Sequence, residues 1–192
     1  MRRLLDRVGS LFGSRTDAAD GRLRELPLAL RTGELAESYL AAERDGDHRR
    51  AGAAAVAAME RAVGDADSWR ADVWAHRALW HFEQAGMALQ SARQARRIGD
   101  LRVAAGDPAS ARRYYAEAID EARDIGAEHE QGLASLGLGQ ALLDLGDVTG
   151  ARRTAGAAET LLTRAGAPVA EIEAATLLRG SEVAVNETRE IR

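Results

Sequence analysis

From Glu34 onward, apolar residues recur every three or four positions and are separated by short polar breaks. That period is the signature of amphipathic helices packed on a shared core. It predicts helices over about 34–45, 48–63, 68–85, 88–105, 108–125, 129–145, 148–165 and 169–184, with no strand. The clearest breaks are the pairs Gly46-Asp47, Gly106-Asp107 and Gly146-Asp147. Glycine just past a helix end tolerates the positive φ that closes it. The following aspartate accepts the unpaired amide hydrogens of the next helix. Pro108 directly after Asp107 suits a first helical turn, where its missing N–H costs nothing. Tight helix–turn–helix corners are expected at all three pairs.

Residues 99–127 repeat at 139–167, a shift of 40, with nine identities in 29 positions. Gly99, Gly106-Asp107, Ala111-Arg112-Arg113, Ala118 and Gly126-Ala127 meet Gly139, Gly146-Asp147, Ala151-Arg152-Arg153, Ala158 and Gly166-Ala167. Identities gathered at glycine and alanine mark positions where helix backbones approach closely. One copy reads Ile98-Gly99, Gly106, Ala111, Tyr115, Ala118, and the other Leu138-Gly139, Leu142, Gly146, Ala151, Ala158. This pattern resembles the tetratricopeptide repeat (TPR) family in a longer-period bacterial form, clearest over 90–126 and 130–166. Arg102 and Ala155 stand where that family carries large aromatics.

The resemblance implies an all-α fold, with helical-hairpin repeats forming a short right-handed solenoid and 169–184 as its C-terminal capping helix. Gly46 to Gly106 spans 60 residues, one and a half periods, so helix 68–85 is expected to interrupt regular stacking. The organisation read from the pattern is an amphipathic helix over 1–12, a linker with a short helical segment over 13–33, the repeat domain over 34–184, and a tail over 185–192.

Composition narrows the chemistry. All 26 basic residues are arginine and there is no cysteine, which removes lysine and thiol nucleophiles, P-loop lysines, disulfides and thiolate zinc sites. A net charge of −4 with interspersed signs lacks the basic stripe of a nucleic-acid binder. No apolar run is long enough to span a bilayer, and no secretory leader is seen, so a bacterial cytoplasmic protein is expected. His48, His76, His81 and His129 fall at no metal-ligand spacing, and no catalytic set is nominated. The expectation is a protein that is not an enzyme and has no cofactor or metal.

Three groups of residues are candidates for binding. The family resemblance places the first helix of each pair on a concave face, which puts Arg93, Arg96, Asp100 and Val103, then Leu133, Leu136, Gln140 and Leu143, toward a partner protein or peptide. Both sets are spaced i, i+3, i+7, i+10, one helix face. Arg93 and Arg96 would suit a carboxylate, or else pair with local acids. Asp100 stands where the family's carboxylate clamp has asparagine, which argues against a C-terminal carboxylate as ligand.

In residues 1–12, Leu4, Leu5, Val8, Leu11 and Phe12 oppose Arg2, Arg3 and Arg7, a composition for peripheral membrane contact, a partner groove, or folding back onto the domain. Trp69, Trp74 and Trp80 sit on one helix in two stripes, Trp69/Val73/Trp80 and Trp74/Ala78/Ala85, either as core or as a homodimer interface. The function expected is an adaptor or scaffold. The alternatives are a ligand- or peptide-sensing regulator and a scaffold recruited to a membrane by its N-terminus.

Overall fold

The computed structural model describes Leu30 and residues 33–180. The expected 1–12 helix, most of the 13–33 linker and the 185–192 tail lie outside the described residues. The described chain is all α-helix: α1 (Glu34–Arg44), α2 (His48–Gly64), α3 (Ser68–Gln84), α4 (Ala88–Ala104), α5 (Pro108–Asp124), α6 (Glu128–Asp144), α7 (Val148–Arg164) and α8 (Val169–Gly180). No strand occurs among the described residues.

The turns set the architecture. Positive φ recurs every 20 residues, at Gly46, Ala66, Gly86, Gly106, Gly126, Gly146 and Gly166. At each of these turns the next residue donates back to a carbonyl five positions earlier, as Asp107 N does to Arg102 O at 2.8 Å and Ala127 N to Ala122 O at 2.8 Å. This is the Schellman closure, which satisfies carbonyls that the helix end leaves open. Asp47, Asp107 and Asp147 then cap α2, α5 and α7, accepting from Arg50 N, Ser110 N and Gly150 N at 3.0, 3.0 and 2.9 Å. Asp67 caps α3 in the same way, through Arg70 N at 3.0 Å.

Stacking is therefore uninterrupted. The 60 residues from Gly46 to Gly106 hold three helix–turn units of 20, and α3 is an ordinary member of the series. Gly46-Asp47 is the counterpart of Gly86-Met87, not of Gly106-Asp107. The true counterpart of Gly106-Asp107 is Ala66-Asp67, where alanine stands in the glycine position at φ +56°.

Successive antiparallel helices pair as α2/α3, α4/α5 and α6/α7, with α1 before the first pair and α8 packed on α7 at the C-terminal end. The result is a short helical-repeat solenoid. Helices α4 and α6, and α6 and α8, also touch across the intervening helix, and Gln94 and Arg97 of α4 reach Met59 and Glu60 of α2, so α2, α4, α6 and α8 lie side by side as one layer, termed the inner one.

Alanine dominates the interior. Ala55, Ala75, Ala95, Ala118, Ala134, Ala141 and Ala158 are fully buried, and a methyl side chain lets the helix axes come close. Tyr115 fills the seam between consecutive pairs. Its ring lies against Gly99 of α4 and Gly137 of α6, and a Cβ at Gly99 would meet the ring at 2.7 Å. Gly137-Leu138-Gly139, which mimics a fragment of a dinucleotide-binding loop, is thus helical packing: a Cβ at Gly139 would approach Leu178 at 2.9 Å.

Candidate functional site

The inner face repeats in register. Arg93, Arg96, Asp100 and Val103 on α4 correspond to Leu133, Leu136, Gln140 and Leu143 on α6, 40 residues on. The same step backward gives Ala53, Val56, Glu60 and Val63 on α2, and forward gives Glu173 and Thr176 on α8. The α2 contribution escapes a reading in which the period breaks at residue 68. The 20-residue spacing of Ala66-Asp67 from its neighbouring turns is the signal that recovers it.

These positions are not equally open. Arg93, Asp100 and Gln140 are exposed, whereas Arg96, Val103, Leu133, Leu136 and Leu143 are half-buried. Val103 packs against the Tyr115 cluster. Leu133 and Leu136 pack toward Leu162 and Ala175.

The two arginines already hold a carboxylate. Arg96 Nε donates to Glu130 Oε1 at 2.5 Å, and Arg93 Nε lies 3.5 Å from Glu130 Oε2, with Glu130 only 4% exposed. Arg96 also meets Asp100 at 3.1 Å, and the Tyr115 hydroxyl donates to Asp100 at 2.7 Å. Arg97, which the sequence reading passed over, bridges to Glu60 on α2 at 3.0 Å. The charges on α4 thus tie the inner helices together. A partner carboxylate would have to compete with a buried glutamate.

The tryptophans separate. Trp74 is buried, with Tyr39 edge-on at 5.1 Å, and Ala78 lies beside it in the core. Ala85, expected on the same stripe, is the exposed C-cap of α3. Trp69 is 53% exposed at the start of α3, and Trp80 is half-buried.

Trp80 leads to a second site, which spacing did not reveal. Histidines distant in sequence meet in space: His48 Nδ1 and His81 Nδ1 are 2.9 Å apart. His81 Nε2 is 2.9 Å from the Tyr39 hydroxyl, which also receives Arg77 Nη1 at 3.0 Å and donates to Glu43 Oε1 at 2.7 Å. Tyr39, Arg77 and His81 are 0, 3 and 2% exposed.

Counting protons fixes the order. The single Tyr39 hydrogen goes to Glu43, so His81 must donate from Nε2 to the Tyr39 oxygen. His81 Nδ1 is then a lone pair, and His48 donates to it. Burial, followed by the charges of His48 and Arg77, lowers the His81 pKa to about 4, which keeps the ring neutral as this scheme requires.

The remaining histidines also have partners. His76 Nε2 lies 2.9 Å from the Tyr114 hydroxyl, and His129 Nε2 lies 2.7 Å from Glu171. Among the described residues, one set of carboxylates gathers closely: Glu83, Glu117 and Glu121, with oxygens within 4.8 Å of one another. Burial of its carboxyl, then the neighbouring carboxylates, push Glu83 up to about 7, although the residue as a whole is exposed. Burial likewise raises Glu121 to about 7, against a hydrogen bond from Ser91. Shared protonation relieves this crowding of like charge.

Neither a protein-family model nor a curated protein matches this sequence. No helix among the described residues is long and apolar enough to cross a membrane.

Proposed function

We propose that the chain is a non-enzymatic scaffold of the TPR kind that holds a segment of a partner protein along its inner face. The observation that carries this reading is the register of α2, α4, α6 and α8. The same helix face returns every 40 residues, its chemistry changing from charged on α4 to apolar on α6. A surface built from one recurring face on a rigid frame suits an extended or helical segment, which meets several helices in turn. The half-buried leucines Leu133, Leu136 and Leu143 would take apolar side chains of the partner. Arg93, held by Glu130 on one side only and more than half exposed, would take a polar or acidic one. The composition that argues against nucleic acid fits the same reading, as does a cytoplasmic setting.

Site-specific photo-crosslinking tests it. A photoreactive residue at Gln140 or Arg93 on the inner face, and another at the exposed outer position Ala116, would be irradiated in cells. Crosslinks to a common partner from Gln140 and Arg93, and none from Ala116, are expected. Crosslinks only from Ala116 would overturn the reading.

A further inference from the structure

Beside the buried histidine–tyrosine network lies a cavity of about 580 Å³, lined by residues that include Leu40, Glu43, Asp47, His48, Trp80 and His81. It lies where the α1–α2 turn meets the last turns of α3, among helix α1, α2 and α3 residues that the inner-face reading does not use. Its volume is in the range that encloses small molecules. We propose that this cavity is a binding site for small organic ammonium ions with an apolar body.

Two carboxylates, Glu43 and Asp47, stand on its wall, with the Arg44 side chain beside them. Glu43 gives Oε1 to Tyr39, and no hydrogen bond at its Oε2 occurs among the described residues. His48 donates from Nδ1 to His81, and no hydrogen bond at its Nε2 occurs among the described residues. Asp47 adds a second carboxylate, one of whose oxygens caps α2. Helices α1 and α3 both end at this edge, at Arg44 and Gln84, and helix C-termini favour cations.

Three arginines are near: Arg44 lines the cavity, Arg50 Nε lies 4.0 Å from Asp47 Oδ2, and Arg77 stands behind the network. Arg44 Nε turns back onto the Leu40 carbonyl of its own helix at 3.2 Å. Arg77 is buried behind the network, bonded to Tyr39 and 3.9 Å from Glu43. The apolar part of the wall is aromatic. Trp80 stands edge-on to His48 at 5.3 Å and to His81 at 4.7 Å, and indole is the best side chain for holding a cation over its ring. The Glu43 and Asp47 carboxylates together with the Trp80 indole match an ammonium that donates N–H bonds and rests an apolar body on the ring.

Calorimetric titration of the full chain tests this with three probes of one shape: 2-phenylethylammonium, the neutral 2-phenylethanol, and the anion 3-phenylpropionate. The ammonium should saturate a single site and bind at least ~10-fold more tightly than the alcohol, while the anion shows no saturation. Glu43→Gln keeps an acceptor for Tyr39 but removes the charge, and should weaken ammonium binding by about 10-fold. Trp80→Leu should weaken it comparably, with the helical circular dichroism of both variants unchanged.

Equal binding of the alcohol, preference for the anion, or no saturation by the ammonium up to ~10 mM would each overturn the proposal. So would full ammonium affinity in both folded variants. Crosslinking from the inner face is independent of every one of these outcomes.

Discussion

The two halves of the solenoid hold their helices together by different means. Around Tyr115 the fit is steric: a ring enters a slot made by two glycines on neighbouring inner helices, and only one hydrogen bond, to Asp100, accompanies it. Around Tyr39 the fit is polar. The same residue type meets Arg77, His81 and Glu43 through its hydroxyl, with Trp74 against its ring. Both tyrosines are buried, so burial alone does not distinguish them. The consequence is that the Tyr115 seam should respond to changes of volume, and the Tyr39 seam to changes of protonation and hydrogen bonding.

The largest effect should follow from emptying the steric slot. Tyr115→Ala removes a ring that faces Gly99 and Gly137, and neither glycine has a side chain to relax into the space. A loss of about 3–5 kcal/mol is expected from the transfer and cavity contributions together. Urea unfolding measures it. A loss under about 1 kcal/mol would show that the helices close over the gap and that the slot is not rigid.

Removing only the hydroxyl should reverse the ranking of the two seams. Tyr39→Phe leaves a buried guanidinium and a buried imidazole short of a partner, and should cost about 2–4 kcal/mol. Tyr115→Phe loses one part-buried bond and should cost about 1 kcal/mol. Equal costs at the two sites would erase the contrast.

Acid should act on the Tyr39 seam first. His81 has a pKa of about 4 in the folded chain against 6.5 as its ordinary value. A lowered folded pKa means that the unfolded chain binds more protons in between. The stability contributed by neutral His81 is therefore complete above pH 6.5 and is lost as the pH falls toward 4. The full difference is on the order of 3 kcal/mol. Protonation would also set two Nδ1–H donors against each other at His48 and His81. Glu83 and Glu121 slope the other way. Their pKa values are raised to about 7, so the folded chain binds the extra protons, and stability falls as the pH rises from about 4.5 through 7. Urea midpoints at pH 4.5 and 7, for the wild type and His81→Gln, separate the two. The acid loss should shrink in His81→Gln, and an unchanged loss would place its origin elsewhere.

The contrast also explains what the sequence could and could not reveal. The steric half is written in glycine and alanine at fixed spacing, because close helix approach demands small residues at the same place in every copy. Gly99/Gly139, Ala111/Ala151 and Ala118/Ala158 are therefore visible as a 40-residue repeat. The polar half has no such spacing. Tyr39, His48, Arg77 and His81 sit on three helices, and nothing in a linear reading brings His48, isolated in sequence, within 2.9 Å of His81. The inner face lies between these cases. Its positions are nominated through the family resemblance, but the grip of Glu130 on Arg93 and Arg96 depends on how α4 and α6 face each other.

The smallest expected effect concerns the position that hid the regularity of the stack. Ala66 holds φ +56° at the turn where every other member of the 20-residue series is glycine. A left-handed conformation costs an alanine roughly 1–2 kcal/mol through crowding of its Cβ against the backbone. Glycine avoids that strain, but its unfolded chain is freer by about 0.4–1 kcal/mol. The difference favours glycine, so Ala66→Gly should stabilise the protein by about 0.5–1 kcal/mol, raising the melting temperature by about 2–4 °C at most. The change should leave the denaturant slope untouched, since no surface is newly buried. The substitution lies between the Tyr39 and Tyr115 seams and alters neither. A neutral or destabilising result would mean that Ala66 gains from contacts beyond its backbone, and that the turn between α2 and α3 differs from its six counterparts in more than the missing glycine.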